Sequence, residues 1–247
     1  PITTTVEVIG LWPENVVEWT DVRFVNATGV GVDGYGNVYV MDAGAEKVVK
    51  LTRDGEEDTT FRADDNVGFV NPTDITVDGY GNVYVADSGT VVKLTRDGEK
   101  VSFPADDVSF VNVTGVGVDG YGNVFVLDAG AEKVVKLTRD GEEISLPPDD
   151  VSFVDPTDIA VDGYGNVYVA ASGVVVKLTR DSVTGSGEPA GFPSENVTER
   201  MRTQWFSWRN QGVAVDGYGN VYVMRAGYMS PKIMKFDSDG NQVDFAN

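Results

Sequence analysis

The sequence predicts an all-β fold: a β-propeller of five blades, each of four antiparallel strands. Three observations carry that expectation. Asp-Gly-Tyr-Gly-Asn recurs at Asp33, Asp78, Asp119, Asp162 and Asp216, at spacings of 45, 41, 43 and 54 residues. That is the length of a four-stranded blade and too long for a leucine-rich or hexapeptide solenoid turn. Every copy runs on into Val-Tyr-Val, or Val-Phe-Val in the third, a β-branched and aromatic run that reads as a strand.

The third copy shows each element in order. Gly115-Val-Gly-Val-Asp119 alternates small with apolar residues, as a strand must where strands converge on a crowded axis; this is strand a. Gly120-Tyr-Gly-Asn123 reverses the chain, its glycines and Asn supplying positive-φ positions. Val124–Asp128 is strand b and Glu132–Leu137 is strand c, with period-two alternation. Arg139-Asp-Gly141 forms the next hairpin, repeated at Arg53, Arg96 and, with Ser238 leading, Asp239-Gly240. Glu143–Leu146 is the outer strand d, ended by Pro147 and Pro148 because proline cannot donate to a ladder. Blades one and three share Gly-Val-Gly-Val-Asp, whereas blades two and four share Pro-Thr-Asp-Ile and a shorter b-to-c loop. A two-blade unit has been duplicated, and the fifth blade has drifted furthest.

These segments, Gly-Val-Gly-Val-Asp-Gly-Tyr-Gly-Asn-Val-Tyr-Val-Met-Asp and Val-Val-Lys-Leu-Thr above all, resemble NHL repeats. They are similar in particular to the extracellular sensor domains of mycobacterial receptor kinases. The resemblance covers residues 24 to 247. It implies that strand a lines a central channel, that the d-to-a and b-to-c loops form the ligand face, and that the a-to-b hairpins form the other. Its enzymatic relatives include peptidyl-hydroxyglycine lyases, six-bladed lactonases and streptogramin lyases. The first and last of these depend on histidine; the lactonase-like calcium sites use Asp, Asn and Glu around the channel.

Composition narrows the function. The chain of 247 residues has 41% hydrophobic content, enough for one substantial core. Its net charge of -20, from 19 Lys and Arg against 39 Asp and Glu, argues against nucleic acid and anionic membrane surfaces as partners. No cysteine is present, which removes disulfides, thiolate metal sites and thiol nucleophiles. No histidine is present either, so the commonest general base and transition-metal ligand are both missing. No apolar run reaches the length of a membrane span, and the start at Pro1 reads as a processed N-terminus.

The domain reading is an N-terminal segment, residues 1–23, followed by the propeller, residues 24–247, with an insertion at about 182–211. In the segment, Val6, Val8, Leu11 and Trp12 alternate like an outer strand. The C-terminal Asp239–Phe245 already supplies strand d of the last blade. The first segment therefore either closes its own ring or is donated to a neighbouring subunit by β-augmentation.

Four sets of residues are candidate sites. Asn26, Asn71, Asn112 and Asp155 occupy matching d-to-a positions, followed by Thr28, Thr73, Thr114 and Thr157, with Asp74 and Asp158 added in alternate blades and Asp42, Asp87 and Asp128 after strand b. Oxygen ligands around a channel suit Ca²⁺, although Asx and Thr side chains also satisfy loop backbone groups; Asp74 and Asp158 are the metal candidates. Arg200, Arg202, Trp205, Trp208, Arg209 and Arg225 cluster where the repeat is interrupted, the composition of a recognition patch or a ligand or glycan pocket. Tyr35, Tyr80, Tyr121, Tyr164 and Tyr218 place one aromatic in every a-to-b hairpin, an aromatic ring able to stack on sugars or a partner. Asn26, Asn112 and Asn196 head glycosylation sequons.

Taken together, these features point to a non-enzymatic extracellular or cell-surface glycoprotein. It acts through contacts with other copies of itself or another protein, as a secreted assembly, filament or adhesion component, and needs no cofactor. The alternative is a sensor module with a pocket near Arg200–Arg209; a third reading is a calcium-dependent lactonase-like hydrolase.

Overall fold

A computed structural model of the chain describes residues 22–61, 67–144, 153–172, 174–179, 201–202, 209–226, 232–238 and 240–243. Among the described residues five antiparallel sheets follow one another along the chain, each a propeller blade of three or four strands. Blade one is β1 (Ala27–Val32), β2 (Val38–Asp42) and β3 (Lys47–Leu51). Blade two is β4 (Pro72–Val77), β5 (Val83–Asp87), β6 (Thr90–Leu94) and β7 (Lys100–Val101), and blade three is β8 (Val113–Val118), β9 (Val124–Asp128), β10 (Lys133–Leu137) and β11 (Glu143–Ile144). Blade four is β12 (Asp158–Val161), β13 (Val167–Ala171), β14 (Val174–Leu178) and β15 (Met201–Arg202). Blade five is β16 (Arg209–Val215), β17 (Val221–Ala226), β18 (Lys232–Phe236) and β19 (Gln242–Val243).

Two blades depart from the expected pattern. Among the described residues blade one has three strands, with a bridge from Leu51 to Glu57 where strand d was expected. In blade four the outer strand does not follow the c-strand hairpin but comes from beyond residue 200: Met201 and Arg202 pair with Val175 and Val174. The stretch read as one insertion is thus divided between the rim of blade four and the inner strand of blade five, which begins at Arg209.

The repeated turn is built by its aspartate. In blade one Asp33 Oδ1 accepts the N–H groups of Tyr35 and Asn37, both at 2.9 Å, and Oδ2 accepts Asn37 Nδ2 at 2.7 Å and the Tyr39 hydroxyl at 3.2 Å. The same set recurs at Asp78, Asp162 and Asp216. Asp119 keeps all of it but the last bond, because Phe125 stands where the others have tyrosine. One residue therefore satisfies four donors, and Gly36 at φ 84° closes the turn in a region that side chains disfavour. Behind each turn a strand-c lysine lies over the strand-b ring, from Lys93 over Tyr84 at 5.2 Å to Lys50 over Tyr39 at 5.6 Å.

The core lies between blades. Four apolar clusters fill the junctions one–two, two–three, three–four and four–five, with Tyr39, Tyr84, Phe125 and Tyr168 buried among them. Glycines in strand a let neighbouring inner strands approach: a Cβ on Gly117 would stand 2.5 Å from Val161 Cγ2, well inside van der Waals contact. Gly115 and Gly117 receive Ile159 and Val161 just as Gly29 and Gly31 receive Ile75 and Val77. The two-blade alternation is therefore a packing code, with small residues on one inner strand and branched ones on the next.

Candidate functional site in the central channel

The inner strands β4 and β12 each carry an aspartate where β1, β8 and β16 have glycine, at Asp74 and Asp158 against Gly29, Gly115 and Gly212. Each carboxylate crosses to the next blade. Asp74 Oδ2 accepts Val116 N–H at 2.9 Å and Oδ1 accepts its own neighbour Ile75 N–H at 2.8 Å. Asp158 Oδ2 accepts Val213 N–H at 2.8 Å and Oδ1 accepts Ile159 N–H at 2.8 Å. Glycine opposite each makes room: a Cβ on Gly115 would lie 3.6 Å from Asp74 Oδ2, and one on Gly212 would lie 3.5 Å from Asp158 Oδ2.

This setting changes the acid-base chemistry. Burial, with the nearby charge of Asp158 adding to it, pushes the Asp74 carboxyl up to about 7 against the opposing pull of its two amide hydrogen bonds. Burial raises Asp158 as well. Desolvation disfavours the charged form of a carboxyl, and a second carboxylate nearby disfavours it further. Both residues retain partial solvent exposure. Among the described residues, one buried side-chain polar atom lacks a partner, Thr114 Oγ1, adjacent in sequence to Gly115.

The other acidic positions have structural work instead. Asp42, Asp87 and Asp128 are almost fully buried and accept N–H groups of the loop entering strand a: Val25 and Asn26, Val70 and Asn71, Val111 and Asn112, at distances between 2.6 and 3.1 Å. Their oxygens serve buried loop amides that would otherwise lack partners. Among the described residues no group of three or more Asp or Glu converges as metal ligands. Asp74 and Asp158 already accept two amides each, so this donor set falls short of the six to eight oxygens that Ca²⁺ takes.

The remaining candidates are dispersed. Tyr35, Tyr80, Tyr121, Tyr164 and Tyr218 are all exposed, from 57% to 89%, one at each a-to-b hairpin. Arg202 lies on the outer strand of blade four, Arg209 on the inner strand of blade five, and Arg225 on β17, so these three do not belong to one loop. Arg200, Trp205 and Trp208 lie outside the described residues, as do Val6, Val8, Leu11, Trp12 and Asn196. Asn26 and Asn112 are exposed. No helix among the described residues is long and apolar enough to cross a membrane.

No protein-family model matches the chain, and no curated relative is found. Solved structures do match. The chain is similar to virginiamycin B lyase from Staphylococcus aureus, with 14% identity over 89% of this chain and 69% of that one, and a TM-score of 0.54. It is similar to a gluconolactonase from Xanthomonas campestris, with 14% identity, 90% and 75% coverage and a TM-score of 0.57. A calcium-binding protein, regucalcin, from Agrobacterium tumefaciens gives 12% identity, 92% and 75% coverage and a TM-score of 0.57. At these identities the structural likeness shows the propeller fold alone.

The matches also correct the expectation of a non-enzymatic assembly or sensor protein, since the structures that share this fold include a lyase and gluconolactonases. The physical premise fails too. Histidine, the commonest general base, is absent, but burial brings the Asp74 carboxyl up to about 7, the range in which a carboxyl is able to exchange a proton near neutral pH. Sequence reasoning weighed Asp74 as a metal candidate and did not reach its raised proton affinity. The available signal was the pairing of Asp in one strand a with Gly at the same position of the next.

Proposed function

We propose that the protein is a hydrolase of the lactonase kind, opening a neutral cyclic ester in the central channel with Asp74 as general base. The supporting observation is the channel carboxylate of Asp74 titrating at about 7 beside Asp158. In its ionised form Asp74 takes a proton from a water molecule as that water attacks the lactone carbonyl. The protonated Asp74 then donates to the ring oxygen as the acyl–oxygen bond breaks, leaving a hydroxy acid. Asp158 is a positioning residue: its charge holds the Asp74 proton affinity up. Two carboxylates in the channel of a chain with net charge -20 favour a neutral substrate over an anion and help expel the acid product. The described donor set, two carboxylates that each already accept two amides, does not fit Ca²⁺.

The test is turnover of a panel of neutral γ- and δ-lactones, including aldonolactones, by the wild type and Asp74→Asn. Removal of a general base costs about 10² to 10⁴ in rate, with the fold retained. Addition of one water to the product identifies hydrolysis; an unsaturated product of unchanged mass identifies a lyase instead. Absence of turnover on the whole panel, or full activity in the variant, refutes the reading. The NHL-like reading of the repeat and an extracellular location are part of this proposal, supported by the in-phase hairpins and by exposed Asn26 and Asn112 in their sequons.

A further inference from the structure

The four filled junctions follow two patterns. From an odd blade to the next even one, branched residues enter the space above glycines, Ile75 over Gly29 and Ile159 over Gly115. From an even blade to the next odd one, a carboxylate crosses, Asp74 to Val116 and Asp158 to Val213. Between blades five and one, Val30 stands at the register of Ile75 and Gly212 at that of Gly29, yet the atoms nearest a Cβ on Gly212 belong to Asp158 and Met224 and none to blade one, so among the described residues this junction makes neither contact.

Its two faces are open among the described residues. Val30 and Val32 are 63% and 57% exposed, whereas Val116, which matches Val30, is 3% exposed. On the other side Met224 and Ile233 are 42% and 61% exposed, while the matching Met41 and Val48 are 0% and 4% and Leu127 and Val134 are 0% and 8%. The residues matching Val30, Met224 and Ile233 are buried wherever a neighbouring blade is present, and Val118, which matches Val32, is partly buried. No described blade precedes Val30 to offer its N–H a carboxylate.

The path of the chain shows what reaches this place. Phe24-Val25-Asn26 repeats Phe69-Val70-Asn71 and Phe110-Val111-Asn112, the stretches that carry the chain from the outer strand of one blade to the inner strand of the next. Val25 and Asn26 donate to Asp42 as Val70 and Asn71 donate to Asp87. The chain upstream of Phe24 is therefore delivered where the outer strand of a preceding blade would end, beside the open junction. Residues 1–21 span up to about 70 Å when extended, whereas four paired strands are about 19 Å across. Their Val6, Val8, Leu11 and Trp12 supply apolar groups, and Glu7 supplies a carboxylate between two of them.

We propose that residues 1–21 occupy the junction between blades five and one and cover Val30, Val32, Met224 and Ile233. The occupant is this chain's own N-terminal segment rather than a second copy. The proposal is independent of the enzymatic reading, since it concerns the opposite seam from Asp74 and its test needs no turnover.

The chain has no cysteine, so introduced pairs are the only thiols. Two full-length double variants serve, Val8→Cys with Val30→Cys and Val8→Cys with Ile233→Cys, each treated with a short bis-maleimide and analysed by intact mass. At least one is expected to link within a single chain in most molecules, unaffected by tenfold dilution. A link at dimer mass shows that a second copy fills the junction, and absence of any link shows that the segment lies elsewhere; both overturn the proposal. If neither variant folds, hydrogen exchange on the wild type decides. Amides 5–12 slowed at least tenfold relative to an unstructured chain support it, and exchange at the unstructured rate overturns it.

Discussion

Replacing Asp74 by Asn tests the channel electrostatics without any substrate. In the unfolded chain this carboxyl titrates near 3.8, and in the folded chain at about 7. The folded state thus binds an extra proton between those values. The stability Asp74 contributes is fully present below about pH 3.8 and is lost as pH rises through about 7. Each pH unit of displacement is worth about 1.4 kcal/mol, so ionising Asp74 in the fold costs about 4 kcal/mol at most. Asparagine keeps the shape and one amide acceptor but cannot ionise. Denaturant unfolding of wild type and variant, at about pH 5 and about pH 8.5, cancels the titration of the other carboxylates by subtraction. The difference is expected to move in favour of the variant by about 2 to 4 kcal/mol between the two pH values. A difference that stays within about 0.5 kcal/mol across that range refutes the assignment of Asp74 as a desolvated carboxyl.

Four further outcomes follow from the same geometry. Asp158→Asn removes the charge that helps raise Asp74, so the pH midpoint of lactone turnover should fall below about 7 while the variant stays folded; an unchanged midpoint dissociates the pair. Gly117→Ala places a methyl 2.5 Å from Val161 Cγ2 and should cost about 1 to 3 kcal/mol by denaturant unfolding. Asp162→Ala leaves two backbone amides, Asn166 Nδ2 and the Tyr168 hydroxyl without their acceptor and should cost at least about 2 kcal/mol, whereas Tyr168→Phe, the change already present at Phe125, should cost about 1 kcal/mol or less. Chelation should leave both melting temperature and lactone turnover unchanged, since the described channel residues do not assemble a calcium shell; a loss of many degrees refutes that fit.

The repeat by itself determined the propeller. Asp-Gly-Tyr-Gly-Asn and the alternating strands around it are local, because each aspartate bonds to amides two and four residues ahead and each strand pairs with the next in sequence. Blade number, the a–b–c order within each blade and the exposed hairpin tyrosines were legible for that reason. The odd–even alternation was visible too, but its meaning was not, because Gly117 meets Val161 only across a blade junction. The origin of the fourth strand of blade four was likewise hidden, since Met201 and Arg202 pair with residues more than 20 positions earlier across an interruption of the repeat.

Only tertiary structure separated the aspartates. Asp42 and Asp74 are both acids near the ends of strands, and composition treats them alike. The first faces loop amides and serves them, whereas the second reaches the inner strand of the next blade, loses most of its water and comes under the charge of Asp158, 84 residues away. A residue type sets the ordinary proton affinity of a side chain, but burial and distant charge set its working value. Those depend on which strands the tertiary fold brings side by side.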